Sequence, residues 1–344
     1  MRILVTGGCG FIGSNLICYL LEKYDDIHIL NIDALTYAAN PENLSSIAGD
    51  QRYEFRQIDI VDREGVRDAI RSFKPDGIYH LAAESHVDNS INEPAAFVMT
   101  NVVGMYNLLE EARQFWSLGD SSGRFLHVST DEVYGSLDSE GVFFEESPFR
   151  PNSPYSATKA SSDHLARAWY HTYGMDVVTT NCSNNFGPRQ HREKLIPTVI
   201  KSALAHRPIP VYGDGKNVRD WIYVEDHCTA LDVVFLKGRS GETYLIGTRN
   251  EWPNIDLVTL ICRMLDEQRG DGPEGGYESL ITFVTDRPGH DQRYAVDPSK
   301  IERELGWNAE RSFEDAMRET VRWYSERVET SEIRRENSGR REEG

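Results

Sequence analysis

Two short segments hold side chains whose types and spacing suit proton transfer. In "LHVSTDEVYGS" (residues 126–136) an apolar strand runs out into Thr130, Asp131 and Glu132, a hydroxyl followed by two adjacent carboxyls. Neighbouring carboxyls in unlike surroundings can divide into one ionised base and one neutral acid. In "SPYSATKASSDHLARAWYH" Tyr155 and Lys159 stand four residues apart, so a helix there puts both on one face. A phenol ordinarily titrates near ~10. An adjacent ammonium favours the phenolate and moves it toward use as a base.

Such groups need rigid elements to hold them. Apolar runs rich in β-branched residues ("RILVTG", "IHILNID", "YEFRQIDI", "GIYHLAA", "RFLHVST", "DVVTTNCS") alternate with helical patterns. Their length and spacing predict successive βα units, hence an α/β, Rossmann-type, doubly wound parallel sheet with helices on both faces. Strand tips of such sheets are where ligands bind, and Thr130–Glu132 lie at one. After about residue 185 the rhythm breaks at Pro188, Pro197, Pro208, Pro210 and "YGDGKN". The expected organisation is a dinucleotide-binding domain over 1–185, with part of the later chain returning to it, and a smaller C-terminal substrate-binding domain mainly over 186–324. The charged segment 325–344 is expected to be a frayed helix and mobile tail.

The cofactor is written in "VTGGCGFIGSNLICYLL", where Gly7, Gly10 and Gly13 follow the first strand and open an amphipathic helix. Glycines there let the backbone approach a pyrophosphate on the positive helix end. Asp33 ends the second strand, where a carboxylate accepts bonds from ribose hydroxyls and repels a 2′-phosphate. Ala34 and Leu35 follow it, with no arginine to welcome that phosphate. NAD is favoured over NADP. Asp59 and Ile60, at the end of the third strand, are placed to flank the adenine.

The TGGxGFIG turn, the Tyr-x-x-x-Lys pair and the strand-end Thr130 resemble the extended short-chain dehydrogenase/reductases. "STDEVYG", "YSATKASSDHL", "NCSNNFGP", "VYGDGKNVRDWIYVEDH" and "DRPGHDQRYAVD" together resemble the dTDP-glucose 4,6-dehydratase family, from Met1 to about Tyr324. The resemblance implies a cycle in which Tyr155 takes the C4 hydroxyl proton of a nucleotide-glucose, Thr130 orients that hydroxyl and Lys159 holds the ribose and phenolate. Elimination of water across C5 and C6 then needs an acid and a base; the family's assignment makes Asp131 the acid and Glu132 the base. Sugar epimerases of the superfamily lack that acidic pair. UDP-glucose 4,6-dehydratases, whose catalytic motif looks the same, are the nearest rival reading, and a non-catalytic NAD-binding sensor is a more distant one.

The resemblance extends to binding residues. Cofactor contacts are implied at Phe11, Ile12, Thr36, Leu81, Ala82, Ala83, Ser85, Thr100 and Asn185, beside the positions named above. Substrate contacts are implied at Ser85, His86, Thr130, Asn184, Lys194, Leu195, Tyr212, Arg219, Asn254, Arg287 and His290, with Arg219 and Arg287 suited to clamp phosphate oxygens. One departure is visible: "HVDNS" carries Asn89 where the family usually has arginine.

Composition narrows the partners. The 344 residues are 39% hydrophobic and 27% charged, with a formal net charge of −18, against nucleic-acid binding. No apolar run nears the ~20 residues of a membrane helix, and "MRILVTGG" enters a strand at once, with no signal peptide expected. Five cysteines, an odd number without a CxxC pair, suggest free thiols in a reducing cytoplasm. No metal site is expected. A homodimer is, through outer faces of the Tyr155 helix (Ala160, Ser161, Leu165, Ala168, Trp169, Thr172) and of the "VVGMYNLLEEAR" helix (Met105, Leu108, Leu109, Ala112).

Overall fold

The alternating pattern builds one large sheet clothed on both faces. A computed structural model describes residues 1–117, 122–270, 272–286 and 289–342, with side chains through Arg327. The strands are β1 (Arg2–Thr6), β2 (His28–Asp33), β3 (Tyr53–Gln57), β4 (Gly77–His80), β5 (Arg124–Thr130) and β6 (Val177–Cys182). There follow β7 (Asn184–Phe186), β8 (Ile209–Tyr212), β9 (Val218–Tyr223), β10 (Thr243–Ile246), β11 (Glu251–Pro253) and β12 (Ile281–Val284). Helices are α1 (Phe11–Lys23), α2 (Arg63–Phe73), α3 (Val87–Asn92), α4 (Pro94–Phe97), α5 (Met105–Ser117) and α6 (Pro154–Tyr173). The later ones are α7 (Leu195–Leu204), α8 (Val224–Lys237), α9 (Asn254–Arg269), α10 (Ser299–Leu305) and α11 (Phe313–Glu342).

The main sheet runs β10-β6-β5-β4-β1-β2-β3, parallel throughout. Because side chains alternate across a strand, consecutive apolar residues feed opposite cores. Ile3 and Val5 pack with Leu16 and Leu20 of α1 and Leu231 and Val234 of α8. Leu4 packs with Ile70 of α2, Leu108 of α5 and Ala166 of α6. The chain winds outward from β1 in both directions, so a crevice opens where the order reverses, at the carboxyl ends of β1 and β4. The register sets Thr6 level with His80 and Thr130 level with Cys182, bringing the strand tips to one edge.

Between β6 and β10, and again after β10, the chain leaves this sheet and builds the wall above the strand tips. There β9 pairs with β7 (parallel) and β11 (antiparallel), while β8 pairs with β12. Between these segments β10 returns to lie against β6.

Local chemistry fixes the key helix. Ser153 caps α6 and forms a capping box with Ser156, Pro154 takes the first helical position, and Gly174 ends the helix at φ 67°. Just before α5 the chain makes a π-helical turn, Val98–Gly104. Such turns displace a side chain relative to its α-helical neighbours; this one carries Asn101.

Two expectations need correction. β3 ends at Gln57, so Asp59 and Ile60 lie in the loop beyond it. Met105, Leu108, Leu109 and Ala112 are fully buried inside the subunit, because α5 turns that stripe to the sheet; the side chains left outside are Val98, Met99, Tyr106 and Tyr173. The chain beyond residue 325 continues in α11 as far as Glu342.

Candidate active site

At the crevice, the glycines earn their places sterically. Gly7 has φ 72°, and a Cβ on it would lie 2.7 Å from the Ala82 amide nitrogen. A Cβ on Gly13 would lie 2.3 Å from the Gly7 carbonyl oxygen. Both positions admit only glycine, and the start of α1 stays open to an anion. Asp33 accepts hydrogen bonds from the Cys9 amide (2.9 Å) and the Leu35 amide (2.8 Å). Burial pushes its carboxyl up, and those two N–H groups pull it back. A carboxylate fixed beside a bare glycine turn fits the ribose and pyrophosphate of a dinucleotide.

A cavity of ≈ 320 Å³ runs from Asp33, Ala34 and Thr36 past Gly7, Gly10, Phe11, Ile12 and Gly13 to Thr130, Asp131, Glu132, Tyr155 and Lys159. Asp59, Ile60, Leu81, Ala82, Ala83, Ser85, Thr100, Asn184, Asn185 and Lys194 also line it. Leu35 does not; at φ 56° it turns away, and its contribution is the amide on Asp33. Asn185 is oriented by His227 Nδ1, 2.7 Å from its Oδ1, and Lys194 Nζ donates to the Ser85 carbonyl at 3.3 Å.

The reacting end lies where β5 stops. The Thr130 hydroxyl donates to Asp131 Oδ1 at 3.3 Å and accepts from the Glu132 amide at 3.3 Å, with Tyr155 lining the same cavity. Asp131 is 1% exposed, and its Oδ2 has no hydrogen-bond partner. Burial, then the neighbouring Glu132 and Asp220, hold the Asp131 carboxyl well above the carboxylate range, with Arg219 pulling it back. Its surroundings therefore favour the protonated form, the one a proton donor needs. Tyr155 is likewise pushed well above a normal phenol by burial, then by Glu132. The protein's own groups thus keep Tyr155 as a phenol, and its ionisation calls for a positive charge against the ring. Lys159, 4% exposed, donates to the Val128 carbonyl at 2.8 Å, and burial lowers it to about 8.

Other expected substrate residues stand outside this lining. The Arg219 guanidinium donates to the Val218 (2.7 Å) and Asp291 (2.8 Å) carbonyls and lies 4.2 Å over the Tyr294 ring. His290 Nδ1 sits 2.7 Å from Asp286 Oδ1, and its ring meets Tyr212 edge-on at 6.4 Å. His86 Nε2 is 3.7 Å from Glu193. Leu195 and Asn254 open α7 and α9. Arg287 lies outside the described residues. Among the described residues no group of acidic, histidine and cysteine side chains could hold a metal, and no helix is long and apolar enough to cross a membrane.

Sequence reasoning missed the asparagines that brace the crevice. Asn31 Oδ1 accepts from the Gly8 amide at 3.0 Å. Asn101 pairs with both backbone groups of Glu84 (2.9 and 3.0 Å) and donates to Thr158 at 3.0 Å, tying the loop after β4 to α6. The available signal was a polar residue inside an apolar run, "HILNID", for the first; the second had none.

The family described as GDP-mannose 4,6 dehydratase matches residues 4–320. A probable dTDP-glucose 4,6-dehydratase of Sinorhizobium fredii is 54% identical over 330 residues, covering 95% of this chain and 93% of that protein. The dTDP-glucose 4,6-dehydratase of Neisseria meningitidis is 52% identical, covering 94% and 93%. Among solved structures, the dTDP-glucose 4,6-dehydratase DesIV of Streptomyces venezuelae, with NAD bound, superposes with a TM-score of 0.88 at 46% identity, covering 95% of this chain and 97% of its own.

Proposed function

The chain belongs to the GDP-mannose 4,6-dehydratase family, and from that premise we propose that it is an NAD-dependent dTDP-glucose 4,6-dehydratase. It converts dTDP-glucose to dTDP-4-keto-6-deoxyglucose. The observation that carries this reading is the buried Asp131 beside Glu132, its carboxyl held above the usual carboxylate range, in one cavity with Tyr155 and Lys159. Oxidation and re-reduction alone need no such acid; loss of water does.

NAD, when bound, supplies the acceptor and later the donor of hydride and a positive ring near Tyr155. Gly7, Gly10 and Gly13 hold its pyrophosphate, and Asp33 its adenosine ribose. Tyr155, ionised by that added charge, takes the proton of the sugar C4 hydroxyl, which Thr130 orients. Lys159 holds the nicotinamide ribose and stabilises the phenolate. Once C4 is a ketone the C5 proton is acidic; Glu132 removes it, Asp131 protonates the departing C6 hydroxyl, and Glu132 returns the proton to C5 as hydride reaches C6. Ser85, Asn184, Lys194 and Arg219 bind the sugar and diphosphate, and Tyr212 and His290 face the base.

The test is incubation with dTDP-, UDP- and GDP-glucose followed by mass analysis. Loss of one water from the dTDP sugar, without net use of NAD, is expected; an unchanged sugar in all three rejects the reading. The enzyme works as a homodimer through the exposed side chains Val98, Met99, Tyr106 and Tyr173, which light scattering checks as a mass about twice 39.1 kDa. Its free cysteines favour the cytoplasm.

A further inference from the structure

Beneath the cavity lies a carboxyl that the proposed cycle does not use. Asp163 stands one turn beyond Lys159 on α6 and is 6% exposed. Its Oδ1 is 3.0 Å from His127 Nε2 on β5, and its Oδ2 accepts from Asn181 Nδ2 on β6 at 2.9 Å. The same Asn181 amide donates to the Thr130 carbonyl at 3.0 Å. His127 stacks on His80 (centroids 5.4 Å apart), whose Nδ1 is 2.8 Å from the Thr6 hydroxyl; that oxygen accepts the Leu81 and Ala82 amides. A polar ladder therefore crosses under the cavity from the glycine turn to the reacting strand end.

Packing does not call for an acid here, since a buried carboxylate is costly unless its charge is compensated. We propose that Asp163 is a positioning residue that acts through Lys159, its carboxylate supplying the buried counter-charge for the Lys159 ammonium. The inference rests on the dehydratase reading for what Lys159 does; its charge argument stands on the one-turn spacing of the two residues on α6 and their joint burial. Both Asp163 oxygens are occupied by His127 and Asn181, so it acts on Lys159 through space rather than as a hydrogen-bond partner.

The surrounding charges leave this task to Asp163. Lys159 faces Asp163 on α6, the Cys182 thiol on β6 and the imidazoles of His80 and His127 on β4 and β5. Burial lowers both imidazoles well below their usual range, so they are neutral, and it raises the Cys182 thiol to about 12. Asp163 itself is faced by Lys159 and His164 on α6, Ser129 on β5, Asn181 on β6 and, in the turn after β5, Tyr134. Burial raises Asp163 to about 6 and lowers Lys159 to about 8, and each charge draws the other back. Both are ionised between these values. Removing the Asp163 charge takes away support for the ammonium, so Lys159 loses its proton at lower pH.

The network can keep its shape without the charge. In Asp163→Asn the new amide oxygen accepts from Asn181, and its NH2 donates to His127 Nε2 once that proton moves to Nδ1, which now has no partner. Two readouts are taken on full-length enzyme: the pH profile of turnover, and the titration midpoint of Lys159 by competitive acylation and mass spectrometry. For Asp163→Asn and Asp163→Ser the alkaline limb and the Lys159 midpoint should both move down by about one pH unit, kcat above that limb falling about tenfold with KM changed less. Asp163→Glu, which keeps the charge, should leave both near wild type. Neutral variants that only lower activity uniformly, with the Lys159 midpoint unmoved, overturn the proposal. A wild-type enzyme inactive on every nucleotide-glucose overturns the dehydratase reading instead, and the acylation midpoint still decides this one. Should the Asn variant fail to fold, the Ser variant carries the same comparison.

Discussion

The floor and the wall of the cavity are built on different principles. The floor consists of strand tips and the first turns of helices, each positioned by a βα unit whose residues are close in sequence. The wall, from Asn184 to Tyr294, gathers short strands and loop segments that meet only after the chain has left the main sheet and come back. Groups that must be held against one another to move protons sit on the floor. Those proposed to read the rest of the substrate sit mainly on the wall, at the ends of elements such as β8, β9, α7 and α9. The difference teaches that the proton-handling residues lie on elements of the main sheet, whereas the wall depends on contacts distant in sequence.

The comparison breaks most sharply if floor substitutions fail to stop chemistry. Tyr155→Phe should lower kcat by ~10³-fold or more, the upper range for loss of a positioned base, with no reduced cofactor seen in a single turnover. Asp131→Asn and Glu132→Gln should each cost ~10²–10⁴-fold in product, yet the absorbance of reduced cofactor should rise and persist. If they lose that signal as fully as Tyr155→Phe, the division between oxidation and elimination is wrong.

A wall substitution should behave otherwise. Arg219→Lys keeps a charge but gives up the planar donor fork, so KM for the nucleotide-sugar should rise about tenfold with kcat changed by less than about threefold. A fall in kcat with unchanged KM would move Arg219 to the floor, beside Asp131, whose carboxyl it influences. The smallest expected effect is at Asp33→Ala, which should narrow the preference for NAD over NADP by about tenfold, one lost charge-assisted contact. Tighter binding of NADP than NAD by the unmodified enzyme would contradict the role of Asp33.

How much could be read beforehand follows the same division. "RILVTG" through "DVVTTNCS" became β1 to β6; apart from β3, a largely exposed edge strand, these are buried on both faces and so need near-continuous apolar runs, which are visible. Gly7, Gly13, Asp33, Thr130, Asp131, Tyr155 and Lys159 were legible because each belongs to a short contiguous pattern. Asp163, His127 and Asn181 were not. They sit 36 and 18 residues apart in sequence, and only the pairing of β5 with β6 under α6 makes them neighbours. The outward face of α5 was misread for a related reason: helical spacing gives a stripe but not the direction in which the rest of the fold turns it.

The return of β10 has a consequence for how the chain is made. Until Thr243–Ile246 emerges, β6 is the bare border of the sheet, and every one of its residues is buried in the finished protein. At ~5–20 residues per second, synthesis of the intervening sixty or so residues lasts about 3–12 s. During that time an apolar strand with unpaired N–H and C=O groups is open to any similar strand nearby. A nascent chain arrested before Thr243 should therefore aggregate where one arrested after Gly247 stays in solution, so the last strand to join is also the one that seals the sheet against its neighbours.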